Sequence, residues 1–306
     1  MSIQIANWFT EKIKDKVTVQ FQAHGGLLDG TMMSGDTQAN TVKFPIIGRT
    51  EVYKLTGAIE RVPVNGPGLT TVQLTMEDFE ASDWWRVQDA YKAGPNEQAA
   101  LVQIIVMAIR RKRDKIKLDA LAAFAAGGFG VTTIGDGQSI IDVLDVELAR
   151  TQIAATGADD TGEIKVFCAL PAMWMSQLAF YEEFGKASWV GAADAPFSKT
   201  QRSKMKSVRG VTYIECPDEY FAGPDTDEWY AYMWHHDSMG AEMPWNQEAP
   251  TITRETIMQG SPYLVKAGLG GAAVGIQAAG VKRLWFQKQT ALVRPPRQTV
   301  NVDVTP

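Results

Sequence analysis

From Asn40 to Thr75 apolar and polar residues alternate through the runs TVKFPII, EVYKL, IERVPV and TTVQLT, with a Gly66-Pro67-Gly68 break before the last. Period-two alternation predicts strands with one covered face. Pro45 and Pro63 lack the N–H that a sheet ladder needs, so these strands belong in an edge or a protruding ribbon. The Gly-Pro-Gly break predicts the tip of a hairpin. A two-stranded ribbon is marginally stable alone in water, so this one is expected to lie over another subunit. Lys43, Arg49, Glu51, Lys54, Glu60 and Arg61 along it are the candidate intersubunit contacts.

The pattern then turns helical. Thr75 and Asp78 have the spacing of a capping box, acids follow, and Phe79, Trp84, Val87 and Tyr91 fall near one helical face, which predicts an acidic helix from Met76 to Tyr91. Gly94 and Pro95 break it, and Pro suits the first turn of a new helix. Asn96 to Ala126 contains neither Gly nor Pro and predicts a spine helix of roughly 45 Å, closed by Gly127 and Gly128. Its first half is apolar and its middle is basic. Upstream, Ile5, Trp8, Phe9 and Ile13 have near-helical spacing within Ile3 to Val17, and His24 to Asn40 reads as an irregular arm.

Downstream, helices and strands mix. Ser139 with Asp142 predicts the cap of a helix closed by Gly157. The run IKVFCAL predicts a strand leading through Pro171 into a helix, AMWMSQLAFYEEF, which Gly185 ends. VTYIEC, WYAYMWHH and VKRLWFQ read as further strands of a sheet covered by helices, and VRPPRQTVNVDVTP as an extended tail.

Composition adds limits. At 306 residues, with 45% hydrophobic and 21% charged, the chain can bury a substantial core and has the length of about two domains. No apolar run approaches the ~18 residues of a membrane span, since Ala99 to Ile109 stops at Arg110. The first residues mix acid, base and Trp8, unlike an export signal. Cys168 and Cys216 in apolar runs suit buried thiols better than a disulfide. The net charge of −5 gives no overall basic footprint for nucleic acid. Locally, however, Arg110, Arg111, Lys112, Arg113, Lys115 and Lys117 form a basic cluster that either faces DNA or pairs with neighbouring copies. Lys199 to Arg209 is also basic, and Met76 to Asp83 and Pro217 to Glu228 are acidic.

No catalytic constellation emerges. There is no GxxxxGK[ST], HExxH, CxxC or GxSxG. Gly268, Gly270 and Ala273 fit a relaxed dinucleotide spacing, but an extended apolar run follows where the phosphate-binding helix should begin. Flexible turns are the simpler reading. His235, His236 and Asp237 are adjacent on a strand, which sends their side chains to opposite faces and disfavours a shared ion. Helical spacing would bring Glu80 and Asp83 together, yet no base or aromatic cleft accompanies them. No catalytic, cofactor-binding or metal-binding residue is assigned, and no cofactor is expected.

The order of these elements carries a resemblance. The stretches TVKFPIIGRTEVYKLTG and TTVQLTMEDFEASDWWRVQDAY, the helix EQAALVQIIVMAIRRKRDKIKLDAL, the run IKVFCALPAMWMSQL and the closing GIQAAGVKRLWFQ follow one another as in tailed-bacteriophage major capsid proteins. The chain therefore resembles the Hong Kong 97-like fold, shared with encapsulins, from Ile3 to about Gln289. The resemblance implies an α+β architecture: an N-terminal arm (1–39), an extended β-hairpin loop (40–75), a peripheral domain with the spine helix (76–137 and 246–289), an α/β axial domain (138–245) and a tail (290–306). It implies a structural, non-enzymatic protein of the virion capsid, assembled in the host cytoplasm. Its hexamers and pentamers would close an icosahedral shell around double-stranded DNA, without a membrane. A portal, separate scaffolding and decoration proteins are the other partners it implies. An encapsulin-like compartment is the alternative, and an enzyme built on the α/β domain the more distant one.

Overall fold

The computed structural model describes residues 22–38, 40–48, 66–86, 95–158, 165–181 and 205–293. The helix expected within 3–17, the ribbon segment 49–65 and the tail from 294 lie outside the described residues. The chain divides into two compact units, one of residues 1–26, 35–117 and 241–273, the other of 27–34, 118–240 and 274–306.

In the first unit, strands β1 (Asp36–Gln38), β2 (Thr41–Ile47) and β3 (Leu69–Thr75) form an antiparallel sheet in the order β1-β2-β3. The sheet is the described part of the ribbon. Ile47 pairs with Leu69, and the Gly48 N–H already donates to the Gly68 carbonyl at 2.9 Å. The Gly-Pro-Gly break immediately precedes the returning strand, and the segment 49–65 between the two strands lies outside the described residues. β2 is central, which proline should forbid, yet the register explains Pro45. Asn40 and Gly48 both bond across to the β3 side, so even-numbered residues of β2 face that strand and the Pro45 nitrogen points away from it. On that other side β1 ends opposite Lys43, so no ladder bond is lost.

The described part of the predicted acidic helix is a strand, and residues 87–91 of it lie outside the described residues. Residues Glu77–Trp85 form β4, paired antiparallel with β11 (Tyr263–Gly275) from Glu77↔Gly271 to Trp85↔Tyr263, in a sheet ordered β10-β11-β4 with β10 (Met239–Arg254). The cause is a competing period. Phe79, Ala81 and Trp85 fall at even spacing and are half-buried, whereas Trp84, counted in the helical face, is exposed. Thr75 and Asp78 therefore cap nothing, and Glu80 and Asp83 point to opposite faces. The glycines Gly268 and Gly270 likewise belong to the middle strand β11, not to turns.

Helix α1 (Pro95–Ala126) runs for 32 residues, and Gly128, in the left-handed region at φ 73°, follows its end. Ile105 and Ile109, one turn apart, pack on Val265, Ala267 and Leu269, which alternate along β11. Leu101, Val102, Ile116, Ala81 and Met243 close around them.

The second unit contains a six-stranded mixed sheet, ordered β5-β12-β9-β6-β8-β7. Its strands are β5 (Thr132–Ile134), β6 (Val166–Pro171), β7 (Met205–Val208), β8 (Val211–Cys216), β9 (Glu228–His235) and β12 (Val281–Gln287). β9 is buried along nearly its whole length, as a central strand covered on both faces must be. Helix α3 (Ala172–Leu178) sends the fully buried Trp174 against Trp229 and Phe286, and its indole N–H donates to the Gln287 carbonyl at 3.1 Å. Helix α2 (Val143–Ala154) buries Val146, Ala149 and Ile153. Its capping box is set three residues later than expected. Asp142 is the N-cap and Asp145 returns the bond, while Ser139 instead donates from N–H and hydroxyl to Asp136.

Candidate assembly surfaces

The described end of the ribbon is apolar and uncovered. Ile47 and Leu69 face each other across the ladder and are 72% and 73% exposed. In contrast, Val42 and Phe44 nearer the base are fully buried, and Gly35 leaves the space that the Phe44 ring fills. The ribbon therefore has an anchored root and an apolar outer end. Of its candidate contact residues, Lys43 is half-buried opposite Gln73 and Asp36. Arg49, Glu51, Lys54, Glu60 and Arg61 lie outside the described residues.

The basic cluster on α1 does not form one patch. Arg111 donates to the Gln22 side chain at 2.5 Å, and Lys112 sits over the Phe79 ring at 4.1 Å, so both serve the first unit itself. Gly25 lies against the backbone at Arg110 and Arg111, where any Cβ would collide. Lys117 is 6% exposed. Arg110 and Arg113 are half-buried, which leaves Lys115 as the exposed member of the six. A sequence run of like charges does not reveal this, because a helix distributes six neighbours around its whole circumference.

The other candidates for chemistry come apart. His235 ends β9 buried and accepts the Asp237 N–H, whereas His236 begins the following turn and pairs outward with Asp237 at 2.7 Å. Among the described residues no group of three or more His, Cys, Asp or Glu side chains could hold a metal ion. Cys168 and Cys216 are buried and unbonded to each other, and burial pushes the Cys168 thiol far up from its usual range. Register explains the separation, since Cys168 pairs with Tyr213 and Cys216 with Pro171. No described helix is long and apolar enough to cross a membrane.

Sequence reasoning missed one surface. On the outer face of the β10-β11-β4 sheet, the Trp245 indole lies across Gly268 and Gly270, where a side chain on either glycine would strike it. Asp78 and Glu80 stand opposite those glycines on β4. Met243 turns inward and Trp245 outward, so the alternation of β10 breaks at Pro244, a residue suited to a bulge. The signal available in the sequence was the pair of glycines inside an apolar run, which marks close approach by another group.

A family model described as phage capsid protein matches residues 5–287. No curated protein matches the chain. Among solved structures, the capsid of Ralstonia phage GP4 aligns with TM-score 0.65 at 11% identity, covering 94% of this chain and 96% of that one. The capsid of cyanophage P-SCSP1u gives 0.64 at 11%, covering 91% and 93%. The cyanophage Pam1 capsid gives 0.64 at 10%, covering 95% and 100%. At such identities the likeness is one of fold.

Proposed function

The chain belongs to the phage capsid protein family, and from that premise we infer how its parts build a shell. It is a major capsid protein, a structural component of the virion whose copies form the shell. The fold is α+β with mixed sheets and few helices. We read it as Hong Kong 97-like: arm 1–39, extended loop 40–75, peripheral domain 76–137 and 246–289, axial domain 138–245 and tail 290–306. Copies would gather as hexamers and pentamers into an icosahedral shell that encloses double-stranded DNA, with a portal, and with separate scaffolding or decoration proteins where the shell uses them.

The observation that carries this mechanism is the ribbon. It has a buried root at Val42 and Phe44 and an uncovered apolar end at Ile47 and Leu69. Within one chain that end exposes the surface that association would remove from water. Weak contacts of this kind, repeated around every capsomer, add up to a stable shell because each subunit is held at several points at once. The charged residues Lys43, Arg49, Glu51, Lys54, Glu60 and Arg61 would set the register of the contact more than its strength. On α1, Lys115 is the member of the basic cluster best placed to meet DNA or a neighbouring copy.

Deleting Arg49 to Gly66 tests the reading. The expected product is a folded, soluble subunit with an unchanged far-ultraviolet spectrum that no longer closes shells in electron micrographs. Normal particles from the deletion would refute the role given to the ribbon. For the enclosed genome, the measurement is nuclease-protected DNA in purified particles, and particles filled with protein cargo instead would favour an encapsulin-like compartment.

A further inference from the structure

We propose that the turn His236–Ser238, with the His235 imidazole that closes it, is an acid-sensitive latch. It holds the strap Leu27–Ser34 in its seat and opens when that ring takes a second proton.

The turn joins β9 to β10 and is a junction for three other segments of the second unit. The first is the strap, whose Met33 N–H donates to the His236 carbonyl at 3.2 Å and to the Met239 carbonyl at 3.0 Å, while Met33 also bridges Gly240. The second is the link from β11 to β12. Its Ile276 and Gln277 N–H groups donate to the Ser238 carbonyl at 2.9 and 3.1 Å, and Gly280 lies against Ser238 and the His235 Cβ, where a side chain would collide. The third is the start of β6, where the Lys165 carbonyl accepts the His236 N–H at 2.8 Å. The rest of the strap is seated by burial of Leu28 and Met32 and by the Trp234 indole, which donates to the Thr31 carbonyl at 3.0 Å. Opening the turn therefore removes the strap's backbone bonds at Met33 and leaves it held by two apolar side chains and one indole.

The bond that closes the turn is one that only a neutral ring can make. His235 Nδ1 accepts the Asp237 N–H at 3.2 Å, so the ring's single proton sits on Nε2. A proton added at Nδ1 sets a donor against a donor and puts charge on a residue only 4% exposed. The acid on this turn, Asp237, is committed elsewhere, since it pairs outward with His236 Nδ1 at 2.7 Å, and Lys165 acts on the same carboxylate. On α2, which packs on β9 and β12, the charged groups are Asp145, Glu147 and Arg150, of which the last two pair with each other at 3.0 Å. Residues 31–34 and 276–280 carry no titratable side chain. The closed turn thus suits the neutral ring. By linkage its hold on the strap is present above the range in which an imidazole protonates, about pH 5 to 8, and weakens as pH falls through it.

Hydrogen–deuterium exchange of the full-length chain, followed by mass spectrometry at about pH 8 and about pH 5, tests the latch on both sides of imidazole titration. After correction for the intrinsic pH dependence of exchange, peptides covering 27–34 and 276–280 should open about ten-fold more readily in acid, while β6 and β8 keep their protection. His235→Gln keeps a neutral acceptor that takes no proton in this range, and should hold the strap equally at both pH values. His236→Gln, at the outward-facing ring, should still open in acid. Equal protection of 27–34 at both pH values in the unchanged chain overturns the proposal. So does an acid response that persists in His235→Gln, disappears in His236→Gln, or spreads equally to β6 and β8. Should His235→Gln not fold, the unchanged chain decides. It has only three histidines, and exchange at each ring's C2–H gives their separate titrations. Opening of the strap should follow the His235 midpoint, and a midpoint displaced from the opening by more than about one pH unit, a ten-fold difference in proton activity, rules the latch out.

Discussion

At the scale of single residues, two side chains set local stability in opposite senses. Asp142 accepts the first helical N–H of α2, and Asp145 accepts the Asp142 N–H in return. Asp142→Ala removes that cap and is expected to cost about 1 kcal/mol, read as a lower midpoint in thermal unfolding. Lys282 works the other way. It is 5% exposed on β12, its ammonium reaches the Thr132 hydroxyl at 3.3 Å, and burial holds its pKa below the ordinary lysine value of 10.5. The folded state therefore releases this proton at lower pH than the unfolded chain does. Stability contributed at this site rises as pH climbs through the folded pKa toward 10.5, and the penalty is fully present at lower pH. Lys282→Met should leave stability at neutral pH equal or higher and should remove that alkaline rise in urea titrations followed across pH. A clear loss of stability at neutral pH would mean that the ammonium has stronger partners than burial suggests.

At the scale of elements, each strand and helix answers to what covers it. The segment from Glu77 to Trp85 has enough acids and a plausible cap for a helix, but Phe79 and Ala81 sit on the face turned to α1, and pairing with β11 satisfies the backbone groups along one of its edges. Helix propensity is a weak preference that this ladder and the covered apolar face together outweigh. Pro45 shows the converse, a residue disfavoured in central strands that is harmless because β1 stops short of it. The contact between α1 and β11 is a buried apolar cluster of the first unit, so Ile109→Ala should cost about 2–5 kcal/mol there. Ile104→Ala, on the exposed side of the same helix, should cost under ~1 kcal/mol. Comparable losses at the two positions in denaturant unfolding would show that the helix is held by something other than this cluster.

For the whole molecule, the places of the strands β2, β3, β6, β8, β9 and β12 and of the long helix α1 were determined by the sequence alone. Period-two runs, a long stretch without Gly or Pro, and strand-like apolar segments are local signals, and local sterics and amphipathicity suffice to read them. So was the lack of a catalytic motif. Three features waited for the tertiary structure. The acidic segment became a strand, the basic cluster was divided among Gln22, Phe79, burial and solvent, and Trp245 met Gly268 and Gly270. Each depends on residues far apart in the chain, joined by a strand register or a helix face that no local period encodes. Burial and pairing across those distances decide between locally plausible alternatives, because covering apolar surface and completing backbone hydrogen bonds together outweigh the fraction of a kilocalorie by which one residue prefers helix to strand.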